Sequence, residues 1–231
     1  MNVDEHTVSD GRRARKKRAL RRAISDAATA LFVERGFEAV TLADVGQAAD
    51  VATKTILNHF GTKEELFFER EAGQTAALCQ AVRGRPPGQS VVTALRHHSR
   101  LVLERLTGAE NEASRAQAVG FWRTIEHSPT LRRWEHELGQ RQADALVAVL
   151  ASELGRPADD LLLQVLVGAC LSVVRGVVLQ VRRRLIAGEP VARLRAELQP
   201  ALERGFDLVE HGMGHIGSSH DAAMAATRAE V

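Results

Sequence analysis

The stretch from residue 41 to residue 60, TLADVGQAADVATKTILNHF, limits the possible folds of this chain more than any other. Apolar residues recur there at helical spacing in two short blocks. Asp50 lies between the blocks, and Asp is among the few non-glycine residues that tolerate a left-handed backbone. Thr41 and Asp44 form an approximate capping box at the start of the first block. We therefore predict two short helices joined by a tight turn, the arrangement of a helix-turn-helix unit.

The second of these helices would bury Val51, Ile56 and Phe60 and leave a row of polar side chains exposed. Short hydrogen-bond donors and a lysine in one row suit contacts with phosphates and base edges in the major groove of DNA. Two short helices alone are more often an ordinary helical hairpin than a DNA-binding unit. The flanking sequence is therefore needed to distinguish the two. The side chains expected to point outward are Thr53, Lys54, Thr55, Asn58 and His59.

The flanking sequence favours a DNA-binding module. Eight of the eleven residues from Arg12 to Arg22 are basic, and helical periodicity begins within this run and ends at Gly36. Residues 11–63 hold 11 Lys or Arg against 5 Asp or Glu, whereas the whole chain has a net charge of only +2. Such an uneven distribution is expected of a nucleic-acid-binding protein. An arm there could reach phosphates or a minor groove through Arg12, Arg13, Arg15, Lys16, Lys17 and Arg18.

Glycine and proline cluster at a few points, and aromatic residues make up only 4% of the chain. This composition favours an all-α fold over a β-sandwich or barrel. The sequence GRPPGQ at residues 84–89 marks a domain boundary. We predict a disordered arm (1–14), a small three-helix helix-turn-helix domain with a linking helix from Lys63 to about Val82 (15–83), a larger helical bundle for ligand binding and dimerisation (84–211), and a flexible tail (212–231).

The apolar segment 161–181 is about long enough to cross a bilayer, and three arginines follow it. Gln164, Arg175 and Gln180 within the segment argue against a membrane span, because polar and charged groups are costly in lipid. A helix buried on one face in its own domain and on another against a partner fits better. A membrane-anchored protein, which would be lost to the membrane pellet on fractionation, stays a third hypothesis. The candidate dimerisation residues are Gly168, Ser172 and Gly176, with Leu194, Leu198 and Leu202 of the last helix.

About residues 18–70, including LFVERGFEAVTLADVGQAADVATKTILNHFGTKEELF, resemble the TetR family of bacterial transcriptional regulators. The shared features are a Gly-Phe junction, a Thr-opened helix, a recognition helix that ends in His-Phe, and a Lys-Glu pair. The resemblance implies a cytoplasmic homodimer that binds a palindromic operator in double-stranded DNA and releases it when a small molecule enters the C-terminal domain. It also implies that Thr41, Lys54, Thr55, Asn58, His59 and Lys63 face DNA.

Three positions depart from the family pattern. Leu57 stands where the family usually has an aromatic residue, often Tyr, whose hydroxyl contacts a phosphate. Ala52 replaces a common Ser, and Asp50 replaces the usual turn Gly. The departures at Ala52 and Leu57 leave an alternative open, a helical small-molecule-binding or scaffold protein whose degenerate helix-turn-helix no longer reads DNA. A steep salt dependence of binding and a clear preference for its own promoter would favour the regulator.

The sequence holds no recognised catalytic or cofactor motif, so it predicts neither an enzyme nor a cofactor. Its nine histidines lack partners at metal-site spacing, and its two cysteines are far apart in the chain, so no metal site is expected. An effector pocket should lie between helices that carry a few polar groups on apolar faces. The candidate effector-binding residues are His98, Trp122, Arg123, Trp134, Cys170 and Arg175, and the two arginines favour an apolar or weakly acidic effector.

Overall fold

The computed structural model describes residues 4–69, 73–108 and 111–212, with side chains from residue 15 onward. No strand occurs in these residues, and the predicted all-α fold is confirmed. The helices are α1 (Asp4–Arg35), α2 (Leu42–Ala48), α3 (Thr53–Phe60), α4 (Lys63–Phe67), α5 (Gln74–Arg83), α6 (Val91–Leu106), α7 (Glu112–His127), α8 (Pro129–Leu154), α9 (Leu161–Ile186) and α10 (Val191–His211).

Serine side chains cap the starts of α6 and α8. Ser90 Oγ accepts a hydrogen bond from the backbone nitrogen of Thr93 at 3.0 Å, which caps α6. Ser128 Oγ accepts one from Leu131 N at 3.0 Å at the start of α8, where Pro129 is the first helical residue. In both helices a serine hydroxyl thus accepts a hydrogen bond from a backbone N–H of the first turn that has no partner within the helix.

Two segments near the helix-turn-helix differ from the predictions. Residues 4–14, predicted as a disordered arm, are helical and form the first part of α1, which continues into the basic run that follows. The single helix predicted from Lys63 to about Val82 is replaced by α4 and α5, and α5 begins directly after Gly73, a poor helix former. The predicted flexible tail lies outside the described residues except for Gly212.

The chain divides into two compact units that do not follow the predicted boundary near residue 84. Unit 1 comprises residues 1–74 and 116–139, and unit 2 comprises residues 75–115 and 140–231. Residues 116–139 group with the helix-turn-helix because their apolar side chains complete its core. Ile125 and Leu131 are fully buried there, and the Phe67 and Phe121 rings stack with their centroids 4.8 Å apart.

In unit 2, α10 packs against α9 and α6. Leu194, Leu198 and Leu202 form a buried row on α10, with at most 6% of each residue exposed. Their assignment to a dimer interface is therefore wrong, because this stripe is already covered by the same chain. Ion pairs join the rims of α6 and α10, and Arg96 contacts Asp207 and Glu210 at 2.7 Å each.

The helix α9 has one buried and one exposed side. Cys170 and Val181 are fully buried, whereas Leu161 is 69% and Val165 60% exposed. Gly168, Ser172 and Gly176 also lie on the exposed side. By length and composition alone, α9 could cross a membrane, a test that core helices of soluble proteins also pass. The predicted buried face is confirmed, and a partner for the exposed face stays a prediction.

Candidate nucleic-acid interface

The core that α3 shares with α1, α2 and α4 fixes which side of α3 faces outward. Ile56 is fully buried and Phe60 is 2% exposed, and their spacing of four residues places both on one side of α3. These two side chains join the core built by α1, α2 and α4, so that the opposite side of α3 must face outward. The main core residues from those helices are Ile24, Ala28, Phe32, Val45, Leu66 and Phe67.

The start of α2 and the turn between α2 and α3 have the predicted chemistry. Thr41 Oγ1 accepts a hydrogen bond from Asp44 N at 3.2 Å, and Asp44 Oδ2 accepts one from Thr41 N at 2.7 Å, which confirms the capping box. Asp50 has φ +52°, so the predicted left-handed residue is also confirmed. Gly46 was not predicted to matter. A Cβ atom on it would lie 2.7 Å from Val51 O, so the turn requires glycine there.

The outward surface of α3 combines polar groups with one apolar side chain. Successive helical residues are about 100° apart, which places Lys54 and Asn58 opposite the buried side. Thr53 and Leu57 lie on one flank of that row, and Thr55 and His59 lie on the other. Exposed residues are Thr53, Lys54, Leu57 and Asn58, while Thr55 and His59 are half-buried.

The N-cap of α3 is Ala52, which makes no side-chain capping hydrogen bond. Its backbone has φ −68° and ψ 144°, the extended geometry that capping serines and threonines adopt. Thr53 is the first helical residue, so it does not take the capping position. The departure from the common Ser therefore leaves α3 without a side-chain cap.

Lys63 begins α4 and lies over the aromatic core. Its Nζ is 4.2 Å from the centroid of the Phe37 ring and 5.7 Å from that of Phe32, which are cation–π distances. Burial lowers the pKa of Lys63, although the charges of Glu38 and Glu64 oppose this shift. The aromatic core thus holds the Lys63 side chain in place. A contact between its amine and a phosphate stays a prediction.

Glu38 links the α1–α2 junction to the start of α8 within unit 1. The Ser128 hydroxyl donates a hydrogen bond to Glu38 Oε1 at 2.6 Å. Burial raises the pKa of Glu38, but hydrogen bonds from Ser128 and from backbone N–H groups, with the Lys63 charge, outweigh it and leave this pKa below its usual value. The charged carboxylate therefore fixes α8 beside the helix-turn-helix.

Arg21 is a residue that sequence reasoning missed, because it was counted only as part of the basic run. Its Nε donates to Glu69 Oε1 at 2.8 Å, and its Nη2 and Nη1 donate to Glu69 Oε2 and to the carbonyl oxygen of His59. The guanidinium carbon also lies 4.3 Å from the centroid of the Phe60 ring. Arg21 precedes Ile24 by three residues, and this helical phase was the available signal for an inward-facing arginine.

The rest of the basic run behaves differently from Arg21. Arg15, Lys16, Lys17 and Arg18 are all exposed on α1, where they add positive charge to unit 1. The side chains of Arg12 and Arg13 lie outside the described part of the structure. A role for these six residues in DNA binding stays a prediction.

The predicted effector residues are divided between the two units. Trp122 and Trp134 pack against the core of unit 1, and Arg123 is exposed in the same unit. In unit 2, burial raises the pKa of the Cys170 thiol to about 11 and lowers that of His98, with the Arg105 and His97 charges adding to the latter shift. Arg175 is exposed, so neither arginine lies in an apolar cleft as the sequence suggested.

Two surface features lie on α10 in unit 2. A groove of about 530 Å³ is lined by α10 residues that were not predicted. Ligand atoms of Asp207, Glu210 and His211 lie within 4.8 Å of one another, but Arg96 already pairs with both carboxylates. The groove residues are Ala196, Gln199, Pro200, Glu203 and Arg204.

Comparison with protein families gives one match that coincides with this interface. Residues 24–69 match the family of bacterial regulatory proteins described as the tetR family, a range that includes α2, the turn and α3. The HTH-type transcriptional regulator TcmR of Streptomyces glaucescens is 28% identical over 151 residues, which are 65% of this chain and 67% of TcmR.

Solved structures share the whole fold at low sequence identity. NalD, the secondary repressor of the MexAB-OprM multidrug efflux pump of Pseudomonas aeruginosa, is 17% identical with a TM-score of 0.55, over 82% of this chain and 96% of NalD. FadR of Thermus thermophilus, solved in complex with lauroyl-CoA, is 23% identical with a TM-score of 0.50, over 84% of this chain and 94% of FadR. The family match over residues 24–69, the similarity to TcmR and the shared fold together support the TetR family of bacterial transcriptional regulators for this chain.

Proposed function

We propose that this regulator is a cytoplasmic homodimeric repressor that binds a palindromic operator and is released by a small-molecule effector. The observation that carries the proposal is the outward surface of α3. A buried pair, Ile56 and Phe60, fixes the rotation of this helix and leaves Lys54 and Asn58 exposed on the opposite side. That arrangement suits a recognition helix in the major groove.

In this proposal some polar residues contact base edges and others contact phosphates. Lys54 and Asn58 contact base edges, for which an amine and an amide are suitable partners. Phosphate contacts position α3 and supply most of the salt-dependent affinity. The residues proposed for phosphates are Thr41, Thr53, Thr55, His59, Lys63 and the basic residues of α1.

A second copy of the chain is proposed to cover the exposed side of α9. Gly168 and Gly176 would have nothing within 4 Å of an added Cβ, so packing within the chain does not require glycine at either position. Glycine in a helix interior is unfavourable relative to alanine, and close approach of another helix would account for both residues. A dimer places two recognition helices in successive major grooves, about 34 Å apart.

Release by an effector would act through α7 and α8. Residues 116–139 of these helices belong to unit 1, and both helices continue into unit 2 along the chain. A ligand that favours a different placement of α7 and α8 would move the side chains packed against the helix-turn-helix. The lauroyl-CoA complex of Thermus thermophilus FadR supports a small-molecule effector for a regulator of this fold.

The test is binding of the purified full-length protein to its own promoter DNA and to random DNA during a salt titration. The proposal expects tight binding to the promoter with a steep negative salt dependence and clear preference over random DNA. Lys54→Ala and Asn58→Ala should each weaken promoter binding, whereas Arg133→Ala, an exposed residue of α8, should not. Equal and weak binding to both DNAs would contradict the proposal and favour a small-molecule-binding or scaffold protein with a degenerate helix-turn-helix.

A further inference from the structure

We propose that Leu57 recognises the 5-methyl group of a thymine in each operator half-site, which makes it a specificity-determining residue of α3. The inference rests on the proposed function, because it requires α3 to lie in the major groove of operator DNA. It assigns a chemical partner to the one side chain on the outward surface of α3 that has no polar group.

Leu57 is an exposed apolar side chain on an otherwise polar surface. It is 45% exposed, whereas its neighbour Ile56 is fully buried and Phe60 is 2% exposed. The helix α3 is therefore anchored by Ile56 and Phe60, and Leu57 contributes little to the core of unit 1. Truncation of its side chain should leave the fold intact.

The position of Leu57 on α3 places carbon surface beside hydrogen-bond donors. Lys54 and Asn58 form the row opposite the buried side, and Leu57 follows Thr53 by one turn on the adjacent flank. The isobutyl group of Leu57 and the methyl group of Thr53 thus make a short apolar row. This row runs alongside the amine and the amide that are available for base edges.

The two rows match the major-groove edge of an A·T base pair. Adenine presents N7 and N6, to which an asparagine such as Asn58 can bond with two hydrogen bonds, and thymine presents O4 and its 5-methyl group. A hydrocarbon side chain cannot bond to a phosphate, so Leu57 can contribute to DNA binding only through apolar contact. Thymine is the base that offers a methyl group in this groove.

Isolated exposed leucines are common on protein surfaces, so the test must detect the methyl group itself. The operator is first defined by selection from random duplexes with the full-length protein. Each thymine is then replaced by deoxyuridine, which removes only the 5-methyl group, and the Kd is measured by fluorescence anisotropy. Loss of one buried methyl contact should weaken binding about fourfold, and loss in both half-sites about 15-fold.

The proposal expects one thymine in each half-site at which deoxyuridine weakens binding by the wild-type protein. Leu57→Ala should bind the thymine operator more weakly and should be insensitive to deoxyuridine at that position. Leu154→Ala is the matched control, since Leu154 is a 53% exposed leucine at the end of α8, and it should behave as the wild type. Thermal melting followed by circular dichroism establishes that both variants are folded.

Two results would overturn the proposal and leave operator binding intact. In the first, deoxyuridine has no effect at any position of a selected operator. In the second, deoxyuridine weakens binding by Leu57→Ala as much as by the wild-type protein. If the selection enriches no sequence at all, the proposed function fails, and recognition of thymine by Leu57 fails with it.

Discussion

At the scale of single residues, Ala52 is the clearest site where one atom would change stability. It has the extended backbone of an N-cap residue but no side-chain acceptor for the first amide groups of α3. Ala52→Ser should raise the free energy of unfolding by about 1 kcal/mol, because the hydroxyl can accept a hydrogen bond that Ala52 cannot. Urea denaturation measures this gain.

The neighbouring helix supplies the reverse control for this prediction. Thr62 Oγ1 accepts a hydrogen bond from Glu65 N at 3.1 Å and caps α4. Thr62→Ala should therefore lower the free energy of unfolding by about 1 kcal/mol. Opposite signs are expected for the two variants, and a loss of stability in Ala52→Ser would show that the added hydroxyl does not cap α3.

His98 should make stability depend on pH. Burial, with the charges of Arg105 and His97, lowers its pKa in the folded chain below the ordinary 6.5, so the unfolded chain takes up the proton first as the pH falls. The contribution of neutral His98 to stability is full above about pH 6.5 and decreases as the pH falls through that value toward the lower folded pKa.

The measurement is the free energy of unfolding at pH 7.5 and at pH 5.0. His98→Gln should reduce the difference between the two values, because glutamine does not titrate. His136→Gln is a suitable control, since His136 is exposed on α8 and its charge does not contribute to the shift of His98. An unchanged pH difference in His98→Gln would assign the dependence to other groups.

At the scale of helices, Arg21 joins three elements through one guanidinium. It contacts Glu69 after α4, the His59 carbonyl at the end of α3, and the Phe60 ring. Arg21 and Glu69 are 29% and 21% exposed, so the pair is partly protected from solvent. A cation at this position also interacts favourably with the C-terminal end of the α3 dipole.

Arg21→Ala should lower the free energy of unfolding by about 1.5–3 kcal/mol, because it leaves a partly buried carboxylate without its charged donor. A double-mutant cycle with Glu69→Gln separates this coupling from other effects. Arg22→Ala is the matched control, since Arg22 is exposed in the same run. Equal effects of Arg21→Ala and Arg22→Ala would contradict the role of Arg21 in holding α3.

The same helices show which parts of the structure were predictable from sequence. Thr41, Asp44 and Asp50 act through neighbours within a few residues, so their chemistry could be recognised directly in the chain. The contact of Arg21 with Glu69 spans 48 residues, and no local pattern indicates it. Residues 116–139 also pack against the helix-turn-helix over a long distance in the chain. Hydrophobic periodicity shows which face of a helix is apolar, but it does not show which other helix that face contacts.

At the scale of the whole molecule, the exposed side of α9 is an apolar surface that other parts of the same chain leave uncovered. Leu161, Leu162 and Val165 are each at least 60% exposed, and glycines 168 and 176 continue the same side. Leu194, Leu198 and Leu202 cannot supply this interface, because they are buried in the same chain. The proposed dimer therefore depends on α9 for its helix contact.

Gly168→Leu tests this dependence, because it should have opposite effects on the monomer and the dimer. Nothing lies within 4 Å of the added Cβ in the single chain, so leucine should stabilise the helix there by about 0.5–1 kcal/mol. Across a closely packed dimer interface the same side chain should obstruct the partner helix. Sedimentation equilibrium should then show a shift from dimer toward monomer.

Gly139→Leu is the matched control for this shift, since Gly139 lies in α8 and also has open space around an added Cβ. It should gain the same helix propensity and keep the oligomeric state of the wild-type protein. If Gly168→Leu also remains dimeric, the second copy does not approach α9 closely at this position. The spacing of the two recognition helices would then have to be set by another surface of the regulator.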